Sequence, residues 1–210
     1  MKKLMNTYLL AGLAMLSATA NAAVITSVGA GTAVNTVTRQ ATFTGISGSL
    51  QNYTEGGVTV SVNEDWCCFN GVHYGAGGNS DYVTITTPDS IKFAGLELDL
   101  GTGFADGLHN VVWETLRDGT ATGSGLIQIF ASNGLANGFS VLGWADVNLF
   151  DTLRIGASPT STGYNAFGQY QAIALDNVKI GSANAVPEPG TLAILAIGLV
   201  GLGLTRRTKT

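Results

Sequence analysis

The run Val58-Thr59-Val60-Ser61-Val62 alternates without a break between apolar and hydroxylated residues, and Glu55-Gly56-Gly57 precedes it. A period of two places one set of side chains on a buried face and the other in water, which specifies a half-buried β-strand. Similar short runs of Val, Ile, Thr and aromatic residues return at 39–44, 82–86, 91–100, 111–116, 126–131, 139–144, 153–155 and 172–180. Turn signals separate them: Ala76-Gly77-Gly78-Asn79, Asp118-Gly119, Asn133-Gly134 and Asn137-Gly138. No stretch of 12 residues between Ala23 and Ala185 reads as a helix. Of the 29 glycines, 24 fall in that interval, and each would cost a helix interior ~1 kcal/mol relative to Ala. Four prolines and no G-X-Y period exclude collagen, and 45 % apolar residues argue against disorder. About nine strands joined by glycine turns predict an all-β fold, a β-sandwich of the jelly-roll type.

The ends of the chain follow a different logic. Met1-Lys2-Lys3 is basic, residues 9–16 are apolar, and Ala20-Asn21-Ala22 puts small residues where a signal peptidase reads them. Residues 1–22 are therefore expected to be a secretory signal peptide, handled by the Sec translocon and cut between Ala22 and Ala23. A short buried helix would leave the basic flank and the small-residue site unexplained. At the other end, Val186-Pro187-Glu188-Pro189-Gly190-Thr191-Leu192 leads into residues 193–204, which are only Ala, Ile, Leu, Val and Gly. The chain then closes on Arg206-Arg207-Thr208-Lys209-Thr210. An apolar segment of about 15 residues spans about 22 Å as a helix, short of the ~30 Å bilayer core, so a single marginal transmembrane helix is expected. The basic tail would stay cytoplasmic and leave the preceding domain outside. These two segments also raise the mean hydropathy to +0.27.

The order Pro187-Glu188-Pro189, short span, Arg206-Arg207 resembles the PEP-CTERM sorting signal of Gram-negative bacteria. The resemblance covers residues 186–210 and implies recognition and removal of the tail by an exosortase, in a cell that makes extracellular polysaccharide. A permanent tail anchor is the alternative. Prolines on both sides of Glu188 keep the segment extended and open to an enzyme cleft.

The expected ectodomain, residues 23–185, holds 13 acidic and five basic residues, a net charge of −8. That balance excludes nucleic acid as a partner, because phosphate binding needs clustered Lys and Arg. Tyr53-Thr54-Glu55-Gly56-Gly57-Val58-Thr59-Val60 and Ala174-Leu175-Asp176-Asn177-Val178-Lys179-Ile180 resemble β-sandwich ectodomains of PEP-CTERM proteins and carbohydrate-binding or galactose-binding-like jelly rolls. No recognisable sugar-site motif accompanies them. The resemblance implies a structural Ca²⁺ held by Asp176 and Asn177 of the closing strand together with Glu55. Backbone hydrogen bonding at a sheet corner is the plainer role for Asp176 and Asn177.

Cys67 and Cys68 are the only cysteines, in a chain expected to reach an oxidising compartment. They could form a vicinal disulfide, bridge another chain or remain thiols. Adjacent Cα atoms are 3.8 Å apart, closer than the ~4.4–6.8 Å usual for disulfides, so a vicinal ring would be strained. Such a ring would stiffen a loop carrying Trp66, Phe69 and Tyr74 as a platform for a sugar or partner. An ordinary hairpin whose aromatics cap the sandwich is the other reading.

His73 and His109 show no metal-ligand spacing, and no G-x-S-x-G elbow occurs. Glu97 and Asp99, two apart in Leu96-Glu97-Leu98-Asp99-Leu100, read as the wet face of a strand, a simpler account than a glycosidase carboxylate pair. Asn52-Tyr53-Thr54 is a glycosylation sequon of little weight in a bacterial chain. The sequence thus predicts a non-enzymatic exported protein of the cell surface or matrix, structural or adhesive in exopolysaccharide or biofilm. A lectin-like module and, further off, a glycoside hydrolase or lyase are the alternatives.

Overall fold

A computed structural model of the chain describes residues 24–48, 51–62, 65–69, 72–76, 82–103, 106–135, 138–169 and 171–183. Thirteen strands lie among them: β1 (Ile25–Val28), β2 (Val34–Ala41), β3 (Asn52–Glu55), β4 (Val58–Val62), β5 (Asp65–Phe69), β6 (Val72–Ala76) and β7 (Val83–Thr86), followed by β8 (Phe93–Thr102), β9 (Gly107–Arg117), β10 (Thr120–Ala131), β11 (Ser140–Phe150), β12 (Thr152–Pro159) and β13 (Ala172–Ala183). All nine expected strands occur, most of them longer than their apolar runs. β1, β3, β5 and β6 are additional. They are four or five residues long.

The strands form two antiparallel sheets packed as a sandwich. The six-stranded sheet runs β10-β9-β12-β7-β4-β3. The seven-stranded sheet runs β1-β11-β8-β13-β6-β5, with β2 also paired to β13. β13 is shared along its length: residues 172–175 pair with β6, and residues 178–183 pair with β2. Its other edge runs along β8 from Ile173 to Gly181.

Period-two side chains of both sheets fill the space between them. Leu96, Leu98 and Leu100 of β8 meet Val111 and Trp113 of β9, Ile85 of β7 and Leu153 and Ile155 of β12 in one buried cluster. Trp113 and Trp144 lie edge to face across it at 6.4 Å, and Phe93 meets Phe150 at 4.6 Å. Burying an aliphatic side chain fully contributes about 1.5–3 kcal/mol, which makes this cluster the main support of the sandwich.

On β13 the buried phase changes partway along. Ile173 and Leu175 face the core, and so do Val178 and Ile180. The switch from odd to even numbers is made by a bulge between Asp176 and Lys179 in the β8 pairing. Asn177 occupies its left-handed position at φ 49°, a conformation that Asn tolerates better than most residues. A further constraint lies at Gly56, in the β3–β4 turn at φ +55°, where a Cβ would overlap the Gln40 carbonyl oxygen.

The expected wet face of β8 needs correction. Asp99 is partly exposed, but the Glu97 side chain is only 2 % exposed. The turn between β1 and β2 folds over it. Gly31 N and Thr32 N donate to Oε1 and Oε2 of Glu97 at 3.0 and 3.2 Å, and Lys179 Nζ stands 3.7 Å away. Alternation identified the outward phase correctly, yet could not show that a connection would cover it.

No helix among the described residues is long and apolar enough to cross a membrane. The signal-cleavage residues Ala20, Ala22 and Ala23 lie outside the described residues, as do Val186, Pro187, Glu188, Pro189, Arg206, Arg207 and the expected transmembrane helix.

Candidate functional site

The bulge on β13 draws together most of the residues expected at a metal site. Asp176 stands opposite Asp99 in the β8–β13 register. Asn177 Nδ2 donates to Asp99 Oδ2 at 2.8 Å and more weakly to Asp176 Oδ2 at 3.4 Å, while its backbone N donates to Asp176 Oδ1 at 2.6 Å. Glu55, at the end of β3, is anchored separately. Its Oε1 accepts from Thr42 N and Oγ1 at 3.1 and 2.9 Å, and its Oε2 accepts from Tyr53 OH at 3.0 Å.

The two carboxyls respond in opposite ways. Burial pushes Asp176 up, and the negative charges of Asp99 and Glu55 reinforce it against the single backbone bond from Asn177. Burial also works to raise Glu55, but the bonds from Thr42, Tyr53 and Phe43 outweigh it and hold the carboxyl below its ordinary value. The Tyr53 phenol is raised by burial, by its bond to Glu55 and by that negative charge.

Ca²⁺ requires six to eight oxygen ligands. Among the described residues no group of three or more His, Cys, Asp or Glu is arranged to hold a metal ion. The Asn177 amide turns its nitrogen, a donor, toward the carboxylates of Asp99 and Asp176. Asp176, Asn177 and Glu55 are therefore brought near one another, but their present arrangement does not fit the ion.

Cys67 and Cys68 fall on β5, where they take consecutive register positions opposite Tyr74 and His73 of β6. The segment is thus a β-hairpin at the edge of the seven-stranded sheet. The side chains of Trp66, Cys67, Cys68, Phe69 and Tyr74 lie outside the described residues.

Sequence reasoning did not single out the outer face of the six-stranded sheet. Leu108 of β9 stands opposite Phe130 of β10, and Val112 opposite Leu126. Leu108, Phe130 and Leu126 remain 57, 52 and 50 % exposed. Asn110 and Gln128 pair between them, with Gln128 Nε2 donating to Asn110 Oδ1 at 2.9 Å. Asn110 Nδ2 donates to the Tyr164 carbonyl at 2.8 Å, which ties the segment after β12 against this face. The available signal was phase: once Ile127 and Ile129 are assigned inward, Phe130 must point outward without an interior partner.

Elsewhere, Arg39 and Lys92 line a groove of about 460 Å³. Arg39 is held in a two-point pair by Asp89 at 3.0 and 2.9 Å, and Lys92 by Asp118 at 2.8 Å. Neither cation is left for an anionic ligand. The Glu97–Asp99 pair likewise offers no hydrolytic centre, since both oxygens of buried Glu97 already accept backbone amides.

This is a two-sheet antiparallel β-sandwich whose described surface presents an apolar strip with amides at its centre. It is followed by a sorting signal: residues 185–207 match the PEP-CTERM protein-sorting motif. No curated protein sequence matches the chain significantly. Among solved structures, the CBM22-1 xylan-binding domain from Paenibacillus barcinonensis Xyn10C aligns at 12 % identity and TM-score 0.41, over 72 % of this chain and 97 % of that one. A point mutant of a family 29 carbohydrate-binding module aligns at 17 % identity and TM-score 0.36, over 79 % and 99 %. A family 11 carbohydrate-binding module from Clostridium thermocellum, in complex with a β-1,3-1,4-mixed-linked tetrasaccharide, aligns at 12 % identity and TM-score 0.29, over 80 % and 92 %.

Proposed function

We propose that the protein is an exported component of the cell surface or extracellular matrix of a Gram-negative bacterium, non-enzymatic and structural or adhesive in its exopolysaccharide or biofilm. In this reading the Sec translocon and signal peptidase deliver it across the inner membrane. An exosortase then acts at the C-terminal signal while the apolar span holds the chain in the membrane. The observation that carries the proposal is the PEP-CTERM motif at residues 185–207, placed directly behind a sandwich that ends at β13. Mass spectrometry of the mature C-terminus tests it. The tail beyond the motif should be absent from the surface form, and Glu188→Ala should leave the chain unprocessed in the membrane fraction. An intact tail on wild-type surface protein would refute exosortase processing.

The second reading, a carbohydrate-binding module, is favoured by the strip on the six-stranded sheet. Exposed Phe130 and Leu108 on one side and Leu126 on the other flank the Asn110–Gln128 amide pair, joining apolar surface for sugar C–H faces with polar groups for hydroxyls. Purified protein on a glycan array distinguishes the readings: retention lost in Phe130→Ala supports binding, whereas release of product would indicate an enzyme.

A further inference from the structure

β10 pairs with β9 along one side, and its other side forms the edge of the six-stranded sheet. An edge strand exposes a row of backbone N–H and C=O groups, which proteins ordinarily guard with charge, proline or brevity. The opposite edge of the same sheet is guarded in this way, since β3 has four residues and ends in Glu55. β10 has 12 residues and carries neither a charge nor a proline. Its bulge, between Ala121 and Gly123, comes before the apolar half of the strand. At the far end Ser140 Oγ donates to the Phe130 carbonyl at 2.8 Å. Between those points Ser124, Gly125, Leu126 and Gln128 are exposed, and Ile127 is half-buried.

The facing sheet supplies a second, independent observation. Val28 of β1 stands opposite Leu142 of β11, and Thr26 opposite Trp144. Residues directly opposite in a ladder share a face, so Val28 points inward as Leu142 does. Leu142 and Trp144 are fully buried, yet Val28 is 57 % exposed. β1 is entered beneath β10, where a Cβ on Gly123 would meet the Val24 side chain. By Val28 it has passed beyond the cover of that strand. An unpaired edge and an uncovered inward valine border the same space, which has the width of one strand.

We infer that this slot takes one β-strand from another protein, extended, uncharged and apolar at alternate positions. Its backbone continues the ladder along residues 124–128, about 17 Å at ~3.3 Å per residue. Its inward side chains cover Val28 and Ile127, and the main chain supplies most of the recognition, as in other strand additions. A charge on the inward phase would be buried against valine and isoleucine without a partner. A whole second copy fits less well. Pairing through its own β10 requires a twofold axis, which brings the projecting β1 of each copy into the space of the other. Two ectodomains of net charge −8 would also repel. The inference rests on neither reading of function, because the slot lies at the sheet edge and leaves the outer face and the C-terminal signal free.

The probe is an acetylated peptide with the sequence of residues 124–130 and added C-terminal lysines for solubility. Two apolar residues stand on each side of Gln128 in that segment, so it offers the same pattern in either direction. Titrated into the whole chain in detergent micelles, it should bind and slow hydrogen exchange at alternate amides between Ser124 and Gln128. Successive amides of a strand face opposite edges. One peptide N-methylated at Leu126 and Gln128, and another at Ile127 and Ile129, therefore differ in which edge they block. One form should lose affinity about tenfold, the equivalent of about 1.4 kcal/mol, and the other should keep it. Val28→Lys, a change at an exposed position, should weaken the unmodified peptide by a similar factor. Equal binding of the two methylated forms, protection at a different edge, or unchanged affinity in Val28→Lys would overturn the inference. So would edge amides already protected without peptide. In a dimer, detected by light scattering, a second copy would then fill the slot, and in a monomer the chain itself would. Silence on a glycan array or failed surface processing, with peptide binding intact, would sink those readings and leave the slot standing.

Discussion

Asp176 ionises in a place that opposes ionisation, because pairing of β13 with β8 sets it opposite Asp99 and within the field of Glu55. A carboxyl raised in the folded state destabilises the fold as it loses its proton. The loss begins as pH rises above the unfolded value near 3.8 and is complete above the raised folded value. Asp176→Asn should therefore be more stable than wild type at neutral pH. A gain of the order of 2–4 °C corresponds to about 1 kcal/mol in a chain of this size. Thermal melts at pH 7 and pH 3 check it, and the difference should shrink at the lower pH. Glu55 has the opposite sign: its lowered carboxyl stabilises the fold above the unfolded value near 4.5, and that stability is lost as pH falls through the folded value. Glu97 is a third case, an acid held by Gly31 and Thr32 amides under a covering turn. Glu97→Gln replaces one accepting oxygen with a donor that faces an amide, and should cost about 1–3 kcal/mol in urea denaturation.

At the scale of elements, the bulge on β13 keeps two phases of one strand facing the same core. Asn177→Gly keeps φ 49° accessible and gives up only the side-chain amide bonds to Asp99 and Asp176, a cost of about 1 kcal/mol. Asn177→Val places a β-branched residue there and should lose about 1–3 kcal/mol, read from the midpoint of a denaturant curve. The same bulge places the Asn177 amide against Asp99 and Asp176, so chelation by EDTA is expected to leave the melting temperature unchanged. A rise in melting temperature with added Ca²⁺ would show instead that the amide turns to expose oxygen to the ion. The β5–β6 hairpin sets Cys67 and Cys68 at neighbouring register positions on an edge element. Intact mass without reductant, before and after thiol alkylation, distinguishes a vicinal ring, a bridge between chains and free thiols. Only the ring supports the stiffened platform envisaged for Trp66, Phe69 and Tyr74.

Across the whole molecule, an acidic sandwich is joined to a C-terminal match for a sorting signal, and their separation is itself testable. Deleting residues 186–210 should leave the sandwich folded, with the same thermal melt, while abolishing anchoring in the membrane fraction. β13 ends before the deleted segment, and among the described residues the buried cluster lies between Ala41 and Ile180. The sequence by itself determined the strand character of the chain, nine of its strands, the sorting motif at residues 185–207 and the inward phase of residues such as Leu96, Leu98 and Leu100. Those features depend on local alternation, turn chemistry and order along the chain, all of which survive without knowing which strands pair. Tertiary structure alone decided that Glu97 lies under a turn, that Asp176 faces Asp99, and that Phe130 and Leu108 share an exposed strip. Each of these depends on residues tens of positions apart meeting through sheet register. Alternation fixes which face a side chain takes, but only the fold determines what covers that face.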